Sequence, residues 1–540
     1  MFFFMSTADK LDQAFNEIFA FVVAMFTHLG RAAAWLWDQT PQQWPVVGRL
    51  GLLLALLVIG PRLVRLLVTY GWRALRRVPG TFGRARFASV RELRRAGLLK
   101  PGGRFLGALK GNNIAMHGEG HCLTVAAQGS GKTTGLILPT LITYRAGSVV
   151  VTDPKGAITA QTRRLRSQLG RVVVLNPWRQ ELMADKSFAV DLGDDGFNPL
   201  QLVGVDYEGR AAAARLAALL LPDMPGEESY WRAEARELLE WCMLFQATHY
   251  PKPMRTLPGL RAMLYDSAEL LAGMEQLAKG EPRSGPQGVL QAGAAKFHGM
   301  AAMGAGAQFV GAQGTATTAL KIYDEGSALA QHVSRDGFRL ADLKGDKPVT
   351  LYLICPPGHL VGDDRKWLNL VLALITQEIG KPGETRETLL LMDEFPALGY
   401  LPNLLPALEQ FREAGLRAHL IAQNPGQVIQ TYGQDGLRRL WGVAEYKQFF
   451  RVTDPEQARL LSEWLGQRTV WSESRNARDE ASSGLAGVPL IRPEELAGMP
   501  RGRQIIIRPE GRPVSANVVP FFKRREWAAQ LDANPYRKGE

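Results

Sequence analysis

The chain has 540 residues, enough for roughly two or three domains, and its 46% hydrophobic and 21% charged residues exclude an intrinsically disordered protein. Its formal net charge is +12. Residues 61–110 carry 13 lysines and arginines against one acidic residue, Glu92, so this segment alone accounts for the net charge. The rest of the chain is close to neutral, which excludes a generally basic nucleic-acid-binding surface.

Two hydrophobic stretches precede the basic segment, at about residues 18–37 and 44–61. Each is close to the ~20 residues that a helix needs to cross a bilayer, and the basic residues that follow place that end in the cytoplasm by the positive-inside rule. We therefore predict that residues 1–75 form a two-helix transmembrane hairpin. The alternatives are a single span, a soluble hairpin or a cleaved signal peptide. The first basic residue, Lys10, follows a Phe-rich start that is untypical of a signal peptide.

After the basic segment, short apolar runs alternate with longer amphipathic ones, which is typical of an α/β fold with a parallel sheet. The predicted strands are residues 122–127, 148–152, 172–175, 349–355, 389–392, 418–422 and 448–452. The predicted helices include residues 132–144, 158–168, 367–379 and 404–414.

The interval between Leu175 and Val349 is far longer than an ordinary connection between strands. Within it, residues 230–246 carry apolar side chains at three- and four-residue steps, as an amphipathic helix does. We predict an inserted all-α domain at residues 206–304, so that residues 76–205 and 305–540 form the two parts of one α/β domain with a C-terminal segment. The polar residues 472–487 are predicted to form a mobile loop.

The three cysteines, Cys122, Cys242 and Cys355, lie far apart, without a CxxC pair or a nearby histidine cluster. This spacing does not match a metal site. Cys122 and Cys355 occur in apolar runs, so we expect inert buried thiols.

Residues 126–133, with the sequence AAQGSGKT, follow an apolar run and open a predicted helix. They form a Walker A motif, or P-loop, in which Ala126 replaces the usual first glycine. Small residues let backbone N–H groups approach phosphate oxygens at a helix N-terminus. Lys132 is assigned to the β- and γ-phosphates of ATP, and the Thr133 hydroxyl to Mg²⁺. The predicted ATP-binding residues are Ala127, Gln128, Gly129, Ser130, Gly131, Lys132, Thr133 and Thr134.

A second motif, LLLMDE at residues 389–394, places two carboxylates after an apolar strand and is typical of a Walker B element. We assign Asp393 to Mg²⁺, and Glu394 to orienting and deprotonating the attacking water. A solvated acidic pair in a loop is the alternative, but the preceding strand and the upstream P-loop favour the catalytic role.

Three further residues are candidates for supporting roles. Gln423 ends the next predicted strand, where related motors carry a sensor of the γ-phosphate, although it could also cap a helix. Arg412 lies on the predicted helix 404–414, from which an arginine could reach the nucleotide of a neighbouring subunit, or could be solvated. Asp153 follows the strand after the P-loop helix and either supports the site or forms a tight turn.

With these motifs in place, the chain resembles the TraG/VirD family of type IV secretion coupling proteins, which are ATPases of conjugation and effector secretion. The shared segments are GSVVVTDPKG at 147–156, FNPL at 197–200, DEFPALG at 393–399, REAGL at 412–416 and LIAQN at 420–424. The resemblance spans about residues 80–520 and the two-span anchor.

This resemblance implies a RecA-like P-loop NTPase domain, with the inserted helices recognising substrate. It also implies a homo-hexamer in the bacterial inner (plasma) membrane, crossing it more than once, with the bulk of the chain in the cytoplasm. The implied partners are type IV secretion channel components, with relaxase-bound single-stranded DNA or protein effectors as cargo. Lys132, Thr133, Asp393, Glu394, Gln423 and Arg412 occupy the family's functional positions.

Two other functions are compatible with the motor motifs. An FtsK/HerA-type translocase would move double-stranded DNA, but the chain has no long Pro/Gln-rich linker and it carries the predicted helical insertion. A degenerate P-loop scaffold would dock secretion components without hydrolysis, but the intact Lys132, Thr133, Asp393 and Glu394 argue against it. The sequence therefore favours a coupling ATPase that delivers cargo into a type IV secretion channel.

Overall fold

The computed structural model describes residues 80–536, except 185–187, 189, 223–228, 303–305, 384–385 and 476–480, together with Thr27, His28 and Arg31. Apart from Thr27, His28 and Arg31, the predicted membrane spans at about 18–37 and 44–61 lie outside the described residues. Within the described part, no helix combines the length and apolar character needed to cross a bilayer. The chain divides into two compact units, one of residues 1–81 with 469–485, and one of residues 82–468 with 486–540.

The larger unit is built on an 11-stranded sheet with the order β2-β1-β13-β12-β9-β3-β8-β7-β4-β6-β5. A two-stranded sheet pairs β10 with β11. The described strands are β1 Arg104–Leu109, β2 Asn112–Met116, β3 His121–Ala126, β4 Ser148–Thr152, β5 Arg171–Leu175, β6 Val349–Leu353, β7 Thr388–Met392, β8 Leu416–Ala422, β9 Ala444–Phe450, β10 Gln467–Arg475, β11 Ala481–Pro489, β12 Arg503–Ile507 and β13 Val514–Asn517.

The sheet is parallel only from β9 to β5, and these seven strands are the ones predicted from the sequence. Their Val- and Leu-rich runs are buried on both faces, as in β4 and β7, which gives the continuous apolar signal. The predicted parallel sheet is present, and the strands β2, β1, β13 and β12, which the sequence did not indicate, extend it with antiparallel pairing. Their sequences mix polar and apolar residues. They form two local hairpins, and the pairing of β1 with β13 joins segments some 400 residues apart, as in Ala108 with Asn517.

Helices connect the strands. They are α1 Val90–Arg95, α2 Leu138–Thr143, α3 Ala157–Ser167, α4 Arg179–Ala184, α5 Tyr207–Leu220, α6 Ser229–His249, α7 Leu257–Tyr265, α8 Ser267–Ala278, α9 Gly285–Ala302, α10 Gly306–Ala319, α11 Ala328–Val333, α12 Pro357–Val361, α13 Arg365–Gly380, α14 Leu404–Gln410, α15 Pro425–Val443, α16 Pro455–Leu465, α17 Pro493–Ala497 and α18 Arg525–Ala528. A π-helix, Thr133–Ile137, precedes α2, and short 3₁₀ turns lie at Pro199–Leu202, Lys252–Met254, Lys321–Tyr323, Leu340–Lys344, Phe395–Leu398 and Phe521–Lys523.

Two local predictions differ from the structure. The helix predicted at residues 404–414 ends at Gln410, because a turn closed by the Leu416 N–H donating to the Phe411 carbonyl at 3.0 Å leads directly into β8. Gly415 adopts φ 97° in this turn, a conformation that favours glycine at a helix end. Residues 472–487, predicted as a mobile loop, include parts of β10 and β11, because ladder hydrogen bonds satisfy a polar strand as well as an apolar one.

The helices between β5 and β6 share a hydrophobic core with one face of the sheet. Leu351 and Leu390 of the sheet belong to the same buried cluster as Leu216 of α5, Leu238 of α6 and Phe297 of α9. Beyond residue 304, the predicted end of the insertion, the chain forms a further helix, α10, from Gly306 to Ala319. The boundaries predicted for the inserted domain, residues 206 and 304, stay predictions. The helices themselves pack onto the sheet, including β7, which carries the Walker B motif.

The opposite face of the sheet packs against the P-loop helix. Leu389 and Leu391 of β7 join Leu138 and Leu141 of α2 in a second buried cluster. Alternate residues of β7 thus contact the two different layers. All three cysteines are buried and unpaired, and burial raises the pKa of the Cys122 and Cys355 thiols to about 12, which agrees with inert thiols.

We expect Gly147→Ala to lower the free energy of unfolding by about 1–3 kcal/mol, because a methyl group there has no room. An added Cβ would lie 1.8 Å from the carbonyl oxygen of Glu387, at the point where β4 pairs with β7. Gly299→Ala in α9 is the matched control, since its Cβ would meet no atom within 4 Å, and it should stabilise the helix by about 0.5–1 kcal/mol. Chemical denaturation of the purified chains measures both changes, and equal stabilities would contradict the packing argument.

Candidate nucleotide-binding site

The P-loop follows the carboxyl end of β3, in the middle of the sheet. Gly129 and Gly131 have φ values of 70° and 88°, a region open to glycine but strained for other residues. The turn is closed by the Ser130 N–H donating to the Ala127 carbonyl, and helix begins when the Gly135 N–H donates to Gly131. Gln128 and Gly129 are exposed, whereas Ala127, Gly131, Lys132, Thr133 and Thr134 are half-buried and Ser130 is buried. The predicted loop therefore presents its backbone at the sheet edge.

The Walker B carboxylates lie beside Lys132. β7 is separated from β3 only by β8, and the carboxyl ends of all three parallel strands lie at one edge. Lys132 Nζ is 2.5 Å from Glu394 Oε1 and 3.2 Å from Asp393 Oδ1. Residues 262 positions apart in the sequence are thus joined by one ammonium group.

Gln423 completes this group. It follows the carboxyl end of β8, and its Nε2 donates to Glu394 Oε1 at 2.9 Å. The Lys132 ammonium donates to the same oxygen. Among the described residues, no hydrogen bond or ion pair uses Glu394 Oε2, so this oxygen is the one that can accept from a further molecule.

Glu394 is held in an unusual backbone conformation. Its φ of 49° and ψ of 44° lie in the left-handed region, which is sparsely populated by residues other than glycine and asparagine. Such strain costs of order 1–3 kcal/mol and is concentrated at functional sites. The strained turn aims the side chain of Glu394 back toward the P-loop, which a regular strand continuation would not do.

Burial affects the two carboxylates differently. Burial acts to raise the pKa of Glu394, but the hydrogen bonds and charge of Lys132 outweigh it and hold the pKa below its usual value. Burial raises the pKa of Asp393, and the adjacent Glu394 charge adds to this, against the pull of Lys132. Glu394 is therefore a carboxylate at neutral pH, while Asp393 sits where a further cation would be favourable.

The residues present fit a nucleotide with a hydrated Mg²⁺. Asp393 Oδ1 and Ser130 Oγ are buried atoms with no hydrogen-bond partner among the described residues. Lys132 Nζ lies 3.2 Å from Asp393 Oδ1, which makes an ion pair but not a hydrogen bond. Thr133 and Asp393 offer hydroxyl and carboxylate oxygens, the donors that Mg²⁺ prefers. A Cβ built at Gly129 would meet nothing within 4 Å, so the loop backbone is open to a phosphate group.

Arg412 lies away from this group. It is in the turn before β8, not on the predicted helix, and so precedes the amino end of a strand whose carboxyl end carries Gln423. A seven-residue strand spans about 20 Å, so Arg412 and the P-loop are at opposite edges of the sheet. Its side chain is exposed and lies 3.2 Å from Glu445 Oε1 and 3.7 Å from Glu119 Oε2. Within one subunit, the described contacts do not join Arg412 to the site.

Asp153 lies beside the site but serves a turn. It follows β4, in which Thr152 is opposite Met392 of β7, so it is next to Asp393. Its Oδ2 accepts from the backbone N–H and the hydroxyl of Thr159 at 2.7 Å each, at the start of α3. Burial raises the pKa of Asp153 to about 6, against these hydrogen bonds. The sequence left open whether Asp153 supports the site or forms a tight turn, and the observed hydrogen bonds are those of the turn.

The sequence did not single out a buried polar group beneath the site. Thr124 Oγ1 of β3 is 2.8 Å from His419 Nε2 of β8 and donates to Gln448 Oε1 of β9 at 2.9 Å. Burial lowers the pKa of His419 to about 3, so this histidine is neutral and donates to Thr124. The sequence does contain a signal for this group, because each of the three residues is polar within a largely apolar strand. The group ties the P-loop strand to its two parallel neighbours.

We expect Asp153→Asn to increase the free energy of unfolding at pH 8, because the amide oxygen still accepts from Thr159 without a buried charge. The folded pKa of about 6 exceeds the ordinary 3.8, so the folded state binds the proton more tightly. The free energy of unfolding of the wild-type protein should therefore rise as pH falls through 6. The difference in unfolding free energy between variant and wild type should vanish by about pH 4. Denaturation at several pH values measures this. Asp153→Ala, which loses the acceptor, should be destabilised throughout, and an advantage independent of pH would contradict the assignment.

Comparisons with known proteins agree with this architecture. A family model described as Type IV secretory system Conjugative DNA transfer matches residues 86–538. The conjugal transfer protein TraG of Escherichia coli is 28% identical over 418 residues, covering 71% of this chain and 62% of TraG. The coupling protein VirD4 of Bartonella quintana is 25% identical over 437 residues, covering 78% of this chain and 65% of VirD4. The matches thus span less than two thirds of these relatives.

A solved structure shows the same fold. The bacterial conjugative coupling protein TrwB aligns with a TM-score of 0.56 at 18% identity, covering 82% of this chain and 95% of the TrwB chain. This similarity supports the predicted α/β fold with a large parallel sheet. The family model covers most of the chain, and the resemblance inferred from its motifs is confirmed: the chain belongs to the Type IV secretory system Conjugative DNA transfer family.

Proposed function

We propose that this protein is an ATPase that recruits substrates and couples ATP hydrolysis to their delivery into a type IV secretion channel. One observation carries the hydrolytic part, namely Lys132 Nζ lying 2.5 Å from Glu394 Oε1 and 3.2 Å from Asp393 Oδ1. Relatives support the ligands, since TrwB has been solved with the ATP analogue ADPNP and with ADP and Mg²⁺. The family assignment favours this function over an FtsK/HerA-type translocase.

The residues have distinct roles in hydrolysis. Backbone N–H groups of the P-loop and the Lys132 ammonium hold the phosphates, and Thr133 and Asp393 hold Mg²⁺. When bound, Mg²⁺ neutralises charge that develops on the phosphate oxygens. Glu394, ionised at neutral pH, accepts a hydrogen bond from the attacking water through Oε2 and orients it. Gln423 donates a hydrogen bond to Oε1 of that carboxylate, the same oxygen that Lys132 contacts. Gln423 would therefore respond when Lys132 leaves Glu394 to bind a γ-phosphate.

Arg412 is proposed to act on the nucleotide of a neighbouring subunit. Its place at the amino edge of the sheet leaves it about 20 Å from its own P-loop, too far for a side chain to reach. An arginine supplied by a neighbour stabilises charge on the transferring phosphoryl group. A closed ring, for which we propose a homo-hexamer, would bring each Arg412 to the next site. Its exposed pairing with Glu445 and Glu119 would be released on assembly.

The cellular setting is proposed from the sequence and the family. Residues 1–75 would anchor the chain in the bacterial inner membrane as a two-helix hairpin, with the bulk of the chain in the cytoplasm. The helices of the insertion would recognise cargo and pass it to channel components. The cargo is relaxase-bound single-stranded DNA, protein effectors, or both, and the near-neutral chain beyond residue 110 is compatible with protein cargo.

Hydrolysis should depend on Lys132 and Glu394 in different ways. We expect Glu394→Gln to lower the ATP hydrolysis rate by about 10²–10⁴ while ATP still binds, because only water activation is lost. Lys132→Ala should lose both binding and hydrolysis. Phosphate release and equilibrium nucleotide binding measure these effects. Arg438→Gln, on the exposed face of α15, is the control and should match wild type. Hydrolysis by Lys132→Ala at the wild-type rate would refute the proposed site.

Mixing two inactive variants tests the role of Arg412. Arg412→Ala should reduce hydrolysis by about 10³–10⁵ in the assembled protein, as loss of an arginine finger does elsewhere. Assemblies that mix Arg412→Ala with Lys132→Ala should regain activity, because Lys132→Ala subunits still supply Arg412 to intact neighbouring sites. Mixed assemblies that stay as inactive as their parents, at any ratio, would show that Arg412 does not act between subunits.

A further inference from the structure

Arg451 lies directly beside the P-loop. It follows Phe450, the last residue of β9, and β9 pairs in parallel with β3, the strand that ends in the P-loop. Phe450 lies opposite Ala126, so the next residue of each strand, Arg451 and Ala127, emerges at the same edge of the sheet. Paired strands lie about 4.8 Å apart, and an extended arginine side chain is longer than this distance. The Arg451 guanidinium can therefore reach a group that is bound by the P-loop of its own subunit.

The backbone of Arg451 has an unusual conformation. Its φ is 43°, in the left-handed region, and among the described residues other than glycine only Lys110 and Glu394 also have a positive φ. Phe450 and Val452, on either side of Arg451, are buried in the hydrophobic core and hold this conformation in place. Strain of this kind persists where the surrounding structure imposes it, and it is concentrated at functional sites. Glu394, across the P-loop strand, is strained in the same way and belongs to the nucleotide site.

The Arg451 guanidinium has no protein partner within the part of the chain that the structure describes. Its side chain is half-buried, and none of the hydrogen bonds or ion pairs of the described residues involves it. Arg412, at the opposite edge of the sheet, is more exposed and is paired with Glu445. A partly buried guanidinium loses hydration that only an acceptor can replace, and a phosphate group accepts two parallel hydrogen bonds from it. The missing partner therefore favours an anion beside the P-loop.

The P-loop strand has different groups on its two sides. On one side, β8 ends in Gln423 and β7 ends in Glu394, and the two side chains are linked to each other and to Lys132. On the other side, β9 ends in Arg451. The phosphate chain of a nucleotide carries several negative charges, and Lys132 alone neutralises only one of them. A second cation approaching from β9 would contact the same phosphate chain from the side opposite to Gln423.

We propose that Arg451 binds the phosphate chain of the nucleotide held by the P-loop of the same subunit. The left-handed backbone is what directs its guanidinium to these phosphates. This inference rests on the proposed function, to which it adds a second phosphate-binding cation beside Lys132. It is separate from the role proposed for Arg412, which acts between subunits.

Replacing Arg451 should change protein stability and nucleotide affinity in opposite directions. Arg451→Gly removes the guanidinium and relieves the backbone strain, because glycine adopts positive φ freely. The variant should therefore unfold at a higher denaturant concentration than wild type, yet bind the ATP analogue ADPNP about 10–100-fold more weakly, as loss of a charge-assisted hydrogen bond does. Arg451→Lys keeps the charge without the paired donors and should recover part of the affinity. Chemical denaturation and equilibrium titration of the full-length protein with fluorescent ADPNP measure these effects.

Lys110→Gly is the matched control. Lys110 is also basic and has φ 49°, so glycine relieves the same kind of strain there. It follows β1, whose direction is opposite to that of β3, as the pairings through β13, β12 and β9 show. Lys110 is therefore at the edge of the sheet away from the P-loop. The control should gain stability and bind ADPNP as wild type does.

Three outcomes would overturn the inference. The first is wild-type ADPNP affinity in Arg451→Gly and Arg451→Gln while Lys132→Ala loses binding. The second is a lower stability of Arg451→Gly, which would show that the side chain serves folding. The third is recovery of affinity in assemblies that mix Arg451→Gln with Lys132→Ala, because a neighbour cannot supply a residue that acts within its own subunit. ADPNP binding that depends on Arg451, in a protein that does not hydrolyse ATP, would contradict the proposed function alone.

Discussion

The ion pair between the Lys132 ammonium and the Asp393 and Glu394 carboxylates depends on how three parallel strands are aligned. Val125 of β3 lies opposite Ala422 of β8, and Met392 of β7 lies opposite Leu420. Because the strands run the same way, the residues that follow them emerge at one edge. A shift of one residue in either pairing would turn every side chain of that strand to the other face of the sheet. The site is therefore a consequence of sheet register.

The same parallel arrangement keeps Arg412 away from the P-loop within one subunit. Lys132, Glu394 and Gln423 lie at the carboxyl edge, whereas Arg412 lies at the amino edge, near Glu445 and Glu119. No side-chain rotation can close a gap as long as a whole strand. If Arg412 contributes to hydrolysis, the neighbouring subunit has to provide it, which makes assembly a condition of activity.

β7 also connects the two layers of the molecule. Its alternate side chains pack against the P-loop helix on one face and against the helices between β5 and β6 on the other. Asp393 and Glu394 follow directly from this strand, and Glu394 has a left-handed backbone conformation there. The strand that ends in these two carboxylates is therefore in contact with both layers.

The sequence by itself determined the parallel strands, the P-loop and the identity of Lys132, Asp393, Glu394 and Gln423, because these depend on local apolar runs and on motifs whose chemistry needs fixed residue types. It missed the antiparallel strands β1, β2, β12 and β13, because their sequences mix polar and apolar residues and because the pairing of β1 with β13 joins segments that are distant in the chain. It also placed Arg412 on a helix that ends two residues earlier. Only the tertiary structure decided the opposite-edge position of Arg412 and the left-handed backbone of Glu394. Each of these follows from register and packing between elements, for which local sequence carries no signal.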